Sequence, residues 1–244
     1  MKRNVCSFAA IPVVLLILLT LECSAQDKLA RVVRQHKPYT TMVALRFSKK
    51  DQSLMRRALS LFVELDPNAH ATGFLVGDGL VMTSYHVVSG KLSADKKKLL
   101  GFKPNDEIEV RVYVNGCQAK VVKVDEQADL ALLSVCTPRP AGRLTFRRTP
   151  SRDEQLFMIA QPGEWKVVRI GNFSGRSTFG GNEYWSAKIE GQDGFSGSPV
   201  YNRDGELVGV FCLYDSSQGV ALLSPGAKAQ QFLADYDTSV RSQP

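Results

Sequence analysis

"GQDGFSGSPV", Gly191 to Val200, places Ser196 and Ser198 among three glycines and runs on into a proline and an apolar strand. Runs of this composition usually form turns, because glycine enters positive-φ conformations freely and serine hydrogen-bonds its own backbone. The same composition also suits a serine nucleophile, which needs small neighbours so that backbone N–H groups can reach a substrate carbonyl. Which reading holds decides both fold and function.

The answer depends on partners elsewhere in the chain. His86 in "VMTSYHVV" follows a strand-like run, and Asp129 in "QADLALLSV" precedes one. Taken singly, the first reads as a half-buried core histidine and the second as a turn aspartate. Taken with Ser196 they run His, Asp, Ser, one of the chain orders in which the charge-assisted triad occurs. Each also abuts an apolar strand, where a buried polar group needs a partner. Rival chemistries fit less well. "GFSGS" lacks the second glycine of the G-x-S-x-G elbow, and three histidines without an H-E-x-x-H pair give no zinc-hydrolase set. No metal and no cofactor are expected.

Three blocks, "TGFLVGDGLVMTSYHVV", "VVKVDEQADLALLSV" and "DGFSGSPVYNRDGELVGV", together resemble the signature segments of trypsin-like serine peptidases. The resemblance is nearest to the HtrA/Deg-type and glutamyl-endopeptidase-type bacterial branches of the chymotrypsin fold, and it runs from about Tyr39 to the end of the chain's last helical segment. It implies an all-β fold of two antiparallel six-stranded β-barrels with a short C-terminal helix. The site would lie in the cleft between them, with His86 and Asp129 from the first barrel and Ser196 from the second. The roles it implies are Ser196 as nucleophile, His86 as general base and then acid, and Asp129 as the carboxylate that orients it. The backbone of Gly194 and Ser196 would form the oxyanion hole, and Ser198 would be structural.

Other positions matched to the family bear on specificity. Glu190 stands where the trypsin-like branch carries the acid of its S1 pocket, which would favour Lys or Arg, but Tyr214 occupies a pocket-wall position usually kept small and could fill the site or cover Glu190. Phe211 replaces the histidine of the glutamate-specific branch, so cleavage after glutamate is not expected. Two further departures are Phe195, where a polar residue is commoner, and Cys212, where a small hydroxyl or amide residue is. No PDZ-like domain is expected after the peptidase segment. The implied partners are protein or peptide substrates; the alternative is a catalytically weak or inactive peptidase-fold module used for binding or adhesion.

The first 25 residues read as a cleaved signal peptide. Lys2 and Arg3 precede an uncharged run from Ala9 to Leu21, too short for the roughly 20 residues a membrane span takes. Cys23-Ser24-Ala25 offers small side chains at a cleavage site after Ala25, whereas Glu22 does not suit a lipoprotein signal. The mature chain, 26–244, is therefore expected to be secreted or periplasmic, with no stable membrane anchor. Export permits disulfides. Cys117 and Cys136 flank two alternating runs around the "DEQAD" turn, so a cross-strand disulfide closing a hairpin is expected rather than two separate buried thiols. Cys212 is left over, with an apolar strand as its place. The formal net charge of +7 is spread in short clusters without a nucleic-acid motif, which argues for solvated surface rather than a nucleic-acid partner.

Along the rest of the chain, "YTTMVALRF" and "ATGFLVGDGLVMTS" read as strands, the latter a hairpin around Asp78-Gly79. Residues 48–69 have no decided structure. "EIEVRVYV", Asn115-Gly116 and the two runs that follow form a three-stranded meander. The first barrel is expected over about 38–136, a proline- and arginine-rich linker over 137–153, and the second barrel over about 154–223. Ser224 is read as the N-cap and Pro225 as the first-turn residue of a helix over 225–237. His36 and His70 are read as surface residues.

Overall fold

The computed structural model describes residues 28–50, 68–137 and 140–241. The signal-peptide segment and most of the undecided stretch over 48–69 lie outside the described residues.

Alternation of apolar and polar residues builds the first half. β1 (Thr40–Lys49), β2 (Asn68–Gly77), β3 (Leu80–Thr83), β4 (Ile108–Val114), β5 (Cys117–Asp125) and β6 (Leu130–Ser134) close an antiparallel barrel in the order β1-β2-β3-β6-β5-β4. The β4–β5 connection is Asn115-Gly116 with φ of 52° and 77°, positive at both positions as a two-residue hairpin requires. Val43, Leu45, Phe47, Val81, Val112, Val114 and Leu133 fill the barrel. The disulfide joins Cys117, at the start of β5, to Cys136 just beyond β6, with Cα atoms 6.2 Å apart, within the range a disulfide spans.

The second half repeats the architecture. β8 (Gln155–Ala160), β9 (Val167–Phe179), β10 (Asn182–Lys188), β11 (Pro199–Asn202), β12 (Glu206–Asp215) and β13 (Val220–Pro225) run β11-β8-β9-β10-β13-β12, and a β11–β12 pairing closes the ring. The segment read as a linker contributes β7 (Thr145–Phe146), which pairs in parallel with Glu206 and Leu207. A two-residue strand between arginines is too short to show a period, so it is invisible as pattern. A separate apolar cluster seals the seam between the barrels, with Phe74, Met82, Leu130 and Leu132 from one side and Phe157, Ile159, Tyr201 and Val210 from the other. β6 can serve both its barrel and the seam because four of its five residues are buried.

Helices at both ends of the described chain cover this seam. The C-terminal helix spans Gly226–Arg241, starting one residue later and running four residues further than expected. Pro225 is the last residue of β13, and among the described residues the buried Ser224 hydroxyl has no partner, so Ser224 is not the cap. An unexpected helix, α1, occupies 28–36. It buries Val32 in the seam cluster and stacks His36 on Tyr201 with ring centroids 4.1 Å apart. His36 is only 4% exposed, not a surface residue, because a flat aromatic partner distant in sequence covers it. His70 is exposed.

Burial lowers the pKa of His36 from 6.5, and a hydrogen bond to the Gly205 backbone acts the other way. Above 6.5 the ring is neutral whether the chain is folded or not. Below it the unfolded chain takes up a proton that the folded chain resists, so stability is lost as pH falls through this range. His36→Phe keeps a ring on Tyr201 and removes the titration. Urea unfolding at pH 7.5 and 5.5 is expected to show a smaller loss of stability for the variant than for the wild type; an equal loss would contradict it.

Candidate active site

The chain leaves β3 at Thr83 and turns at once into α2 (Tyr85–Val88), a single helical turn that carries His86. The Ser84 hydroxyl donates to the Phe211 carbonyl of β12 at 3.0 Å, which ties the start of this turn to the second barrel. Asp129 stands just before β6 with φ of 52°, a left-handed conformation that aspartate tolerates better than most residues. That backbone aims its carboxylate at α2. Oδ1 accepts from the His86 backbone N–H at 2.8 Å, and Oδ2 lies 2.8 Å from Nδ1 of the His86 ring.

The other ring nitrogen, Nε2, lies 2.9 Å from Ser196 Oγ. A proton on Nδ1, facing the carboxylate, leaves Nε2 as an acceptor for the serine hydroxyl. Ser196 Oγ also lies within 3.3 Å of the Cys212 carbonyl. The Asp129 side chain is 11% exposed and the His86 ring 41%, so the carboxylate is screened from water while the ring faces the cleft.

The loop carrying Ser196 is shaped by glycine and clamped by threonine. Gly194 and Gly197 have φ of 85° and 86°, and among the described residues neither the Gly194 nor the Ser196 backbone N–H has an acceptor. Thr72 on β2, fully buried, holds this loop to the first barrel. Its N–H donates to the Ser196 carbonyl and its hydroxyl to the Gly194 carbonyl, both at 2.9 Å. The same hydroxyl accepts from Gln161 N–H at 2.9 Å, and the Thr72 carbonyl accepts from the Thr83 hydroxyl at 2.7 Å. Sequence reading missed Thr72, because β2 also carries the polar Asn68 and His70 and a threonine among them is no distinct signal.

Phe195 is fully buried and meets Phe211 edge-on at 6.5 Å. Apolar packing therefore anchors the residue before Ser196, where polar contacts were the commoner expectation. Ser198 is likewise fully buried, so its hydroxyl is closed to a substrate. Cys212 is a buried free thiol on β12. Burial, and after it the Asp129 charge and a hydrogen bond to Asp129, push its pKa well up. It therefore stays a neutral thiol, and its S–H, a weak donor, points to the Val210 carbonyl at 3.4 Å.

Two cavities of about 760 and 370 Å3 meet here, and His86, Lys96, Asp193 and Ser196 border both. The larger is lined by Gly191, Gln192, Phe211, Leu213 and Tyr214, with Tyr184 on β10. The Tyr184 hydroxyl, its pKa raised to about 12 chiefly by burial, is uncharged at neutral pH. Tyr214 is thus a wall of this cavity. Glu190 is not in the cleft: its carboxylate is exposed and lies 3.8 Å from Arg169. Ile189 takes the buried position of the pair, at 1% exposure, and alternation along the extended chain turns Glu190 outward. Gly191 packs so closely that a Cβ there would lie 2.7 Å from the Phe211 ring and 2.8 Å from Tyr214 Cβ. Phe211 and Tyr214, rather than Glu190, lie against Gly191.

Among the described residues no cluster of metal-ligating side chains occurs, and no helix is long and apolar enough to cross a membrane.

Residues 71–210 match the family described as the trypsin-like peptidase domain. Serine protease HTRA1A of Danio rerio is 31% identical over 199 residues, covering 72% of this chain and 36% of that protein. Serine protease HTRA1 of Xenopus laevis is 29% identical over 200 residues, covering 73% and 39% respectively. The chain thus spans little more than a third of the length of these relatives. Among solved structures, the Rv3671c protease of M. tuberculosis in its active form aligns with a TM-score of 0.58 at 20% identity, over 83% of this chain and 82% of that one. That likeness is one of fold.

Proposed function

Because the chain belongs to the trypsin-like peptidase family, we propose that it is an exported serine endopeptidase that cleaves protein or peptide substrates through an acyl-enzyme. The observation that carries the reading is the continuous relay from Asp129 Oδ2 through His86 to Ser196 Oγ, with both contacts under 3 Å. The curated relatives are named serine proteases, in keeping with it.

In this reading Ser196 Oγ attacks the scissile carbonyl carbon while its proton passes to His86 Nε2. Asp129 holds the ring in the tautomer that can accept that proton and stabilises the resulting imidazolium. The free N–H groups of Gly194 and Ser196 receive the developing oxyanion, each such donor being worth about 3 kcal/mol in the transition state. His86 then gives the proton to the leaving amine, and water repeats the sequence on the ester. The pocket beside Gly191, walled by Phe211, Leu213 and Tyr214 with Glu190 turned away, suits an uncharged side chain on the acyl side. The leader-like sequence of the first 25 residues and the Cys117–Cys136 disulfide are in keeping with export.

The test is turnover of a denatured protein by the chain starting at Gln26. Cleavage is expected for the wild type, with a loss on the order of a millionfold in kcat for Ser196→Ala. Equal rates for the two proteins would remove the reading.

A further inference from the structure

The two cavities that meet at Ser196 differ in character. Residues 212–215 of β12 pair only with β13 among the described strands, so their other edge is open to an extended chain. That edge borders the larger cavity, which therefore takes the acyl side of a substrate. The smaller cavity lies across the Ser196–His86 pair, where the departing half of the substrate must lie. Its wall is apolar: Phe47 of β1, Ala69 of β2, Val87 of α2, and Leu92, Leu99 and Leu100 around a second short helix, α3 (Ala94–Leu99). Among the described residues it is also lined by Lys96 and Asp193, of opposite sign, and by His70. Leu99, which lines the same cavity as Ser196, is 86% exposed, and a leucine left in water there favours whatever covers it.

We propose that this cavity is a leaving-group subsite that selects polypeptides with a large apolar side chain, the size of Leu, Met or Phe, one or two residues after the scissile bond. The inference rests on the peptidase reading of Ser196. As the Ser196 Oγ–carbon bond forms and the carbon–nitrogen bond breaks, the proton taken from Ser196 passes from His86 Nε2 to the leaving nitrogen. An apolar side chain seated beside Val87 holds that nitrogen against the same ring. The volume of about 370 Å3 suits one such side chain with its backbone and leaves glycine unsupported.

Internally quenched peptides with a common acyl side, carrying Leu, Phe, Gly, Lys or Asp at the first or second residue after the bond, test the proposal. The readout is the ratio of kcat/KM values within each protein. For the wild type, Leu or Phe is expected to exceed Gly and both charged residues by at least about 10-fold at one of the two positions. Leu99→Ser, at a position exposed enough to leave folding intact, is expected to reduce that ratio several-fold, and Leu99→Met to keep it. Equal cleavage of all peptides by the wild type, or a ratio unchanged in Leu99→Ser, overturns the subsite while leaving the peptidase reading standing. No cleavage of any peptide together with no labelling of Ser196 by a fluorophosphonate overturns both.

Discussion

Asp129→Asn is expected to lower kcat by about 10,000-fold with little change in fold or KM. The substitution suits the backbone, since asparagine accepts the left-handed φ of 52° at this position as readily as aspartate. Its carbonyl oxygen can keep the hydrogen bond from the His86 backbone N–H. That arrangement points the amide NH2 at His86 Nδ1, so Nδ1 must become an acceptor and the ring proton moves to Nε2. A protonated Nε2 cannot take the proton of Ser196. The loss therefore comes from the wrong tautomer rather than from disorder, and it should persist at every pH at which the enzyme is folded. Steady-state kinetics with thermal unfolding checks this: a drop of less than about 100-fold at unchanged Tm would deny Asp129 the role of orienting His86.

Gly197→Ala is expected to reduce kcat by about 100-fold or more and to destabilise the fold by about 3 kcal/mol. With φ of 86°, a Cβ at this position would drive into the Thr72 carbonyl oxygen and Thr83 Oγ1, and would meet Ser84 N at 3.1 Å. None of these atoms can yield alone. The Thr72 carbonyl is held by the Thr83 hydroxyl, and Thr72 in turn holds the carbonyls of Ser196 and Gly194. Pushing them apart shifts Ser196, the Gly194 segment and the start of α2 together, and in the proposed mechanism a displacement of about 1 Å is enough for a 100-fold loss. Gly116→Ala is the control, because Gly116 shares a positive φ of 77° but has open space around it. It should show only the backbone strain of about 1 kcal/mol and no change in kcat. Equal effects of the two substitutions on kcat would show that contact between the barrels does not position Ser196.

These expectations also separate what could be read in the chain from what could not. His86, Asp129 and Ser196 stood out because each is a polar residue set against an apolar run, and burial demands that such groups find partners. Asn115-Gly116 and the Cys117–Cys136 spacing were legible for a related reason: hairpins are local, so strand period and turn chemistry suffice. Thr72 was not legible, because its importance lies in contacts with Gly194 and Ser196, more than a hundred residues away, which exist only once the barrels dock. Glu190 shows how one residue of strand phase decides function. Its spacing from Ser196 matched a pocket acid, but Ile189 claims the inward side and sends the carboxylate to Arg169. His36 was misplaced for the same kind of reason, since the ring that buries it belongs to Tyr201 on the second barrel.

Phe195 unites the two kinds of information. Its departure from the commoner polar residue was visible in the sequence, while its consequence required the packing: the side chain sits in the second-barrel core with Val200, Phe211 and Trp185. The loop before Ser196 is therefore fixed by burial of Phe195.

The central claim is that Ser196, activated by His86, is the nucleophile. The most direct measurement is reaction of the folded wild-type protein with a fluorophosphonate, followed by mass spectrometry of the labelled peptide. The account predicts one phosphonyl group on Ser196, labelling slowed by orders of magnitude in Asp129→Asn, and none in Ser196→Ala. A label on Ser198, or equal labelling of wild type and Ser196→Ala, would contradict it.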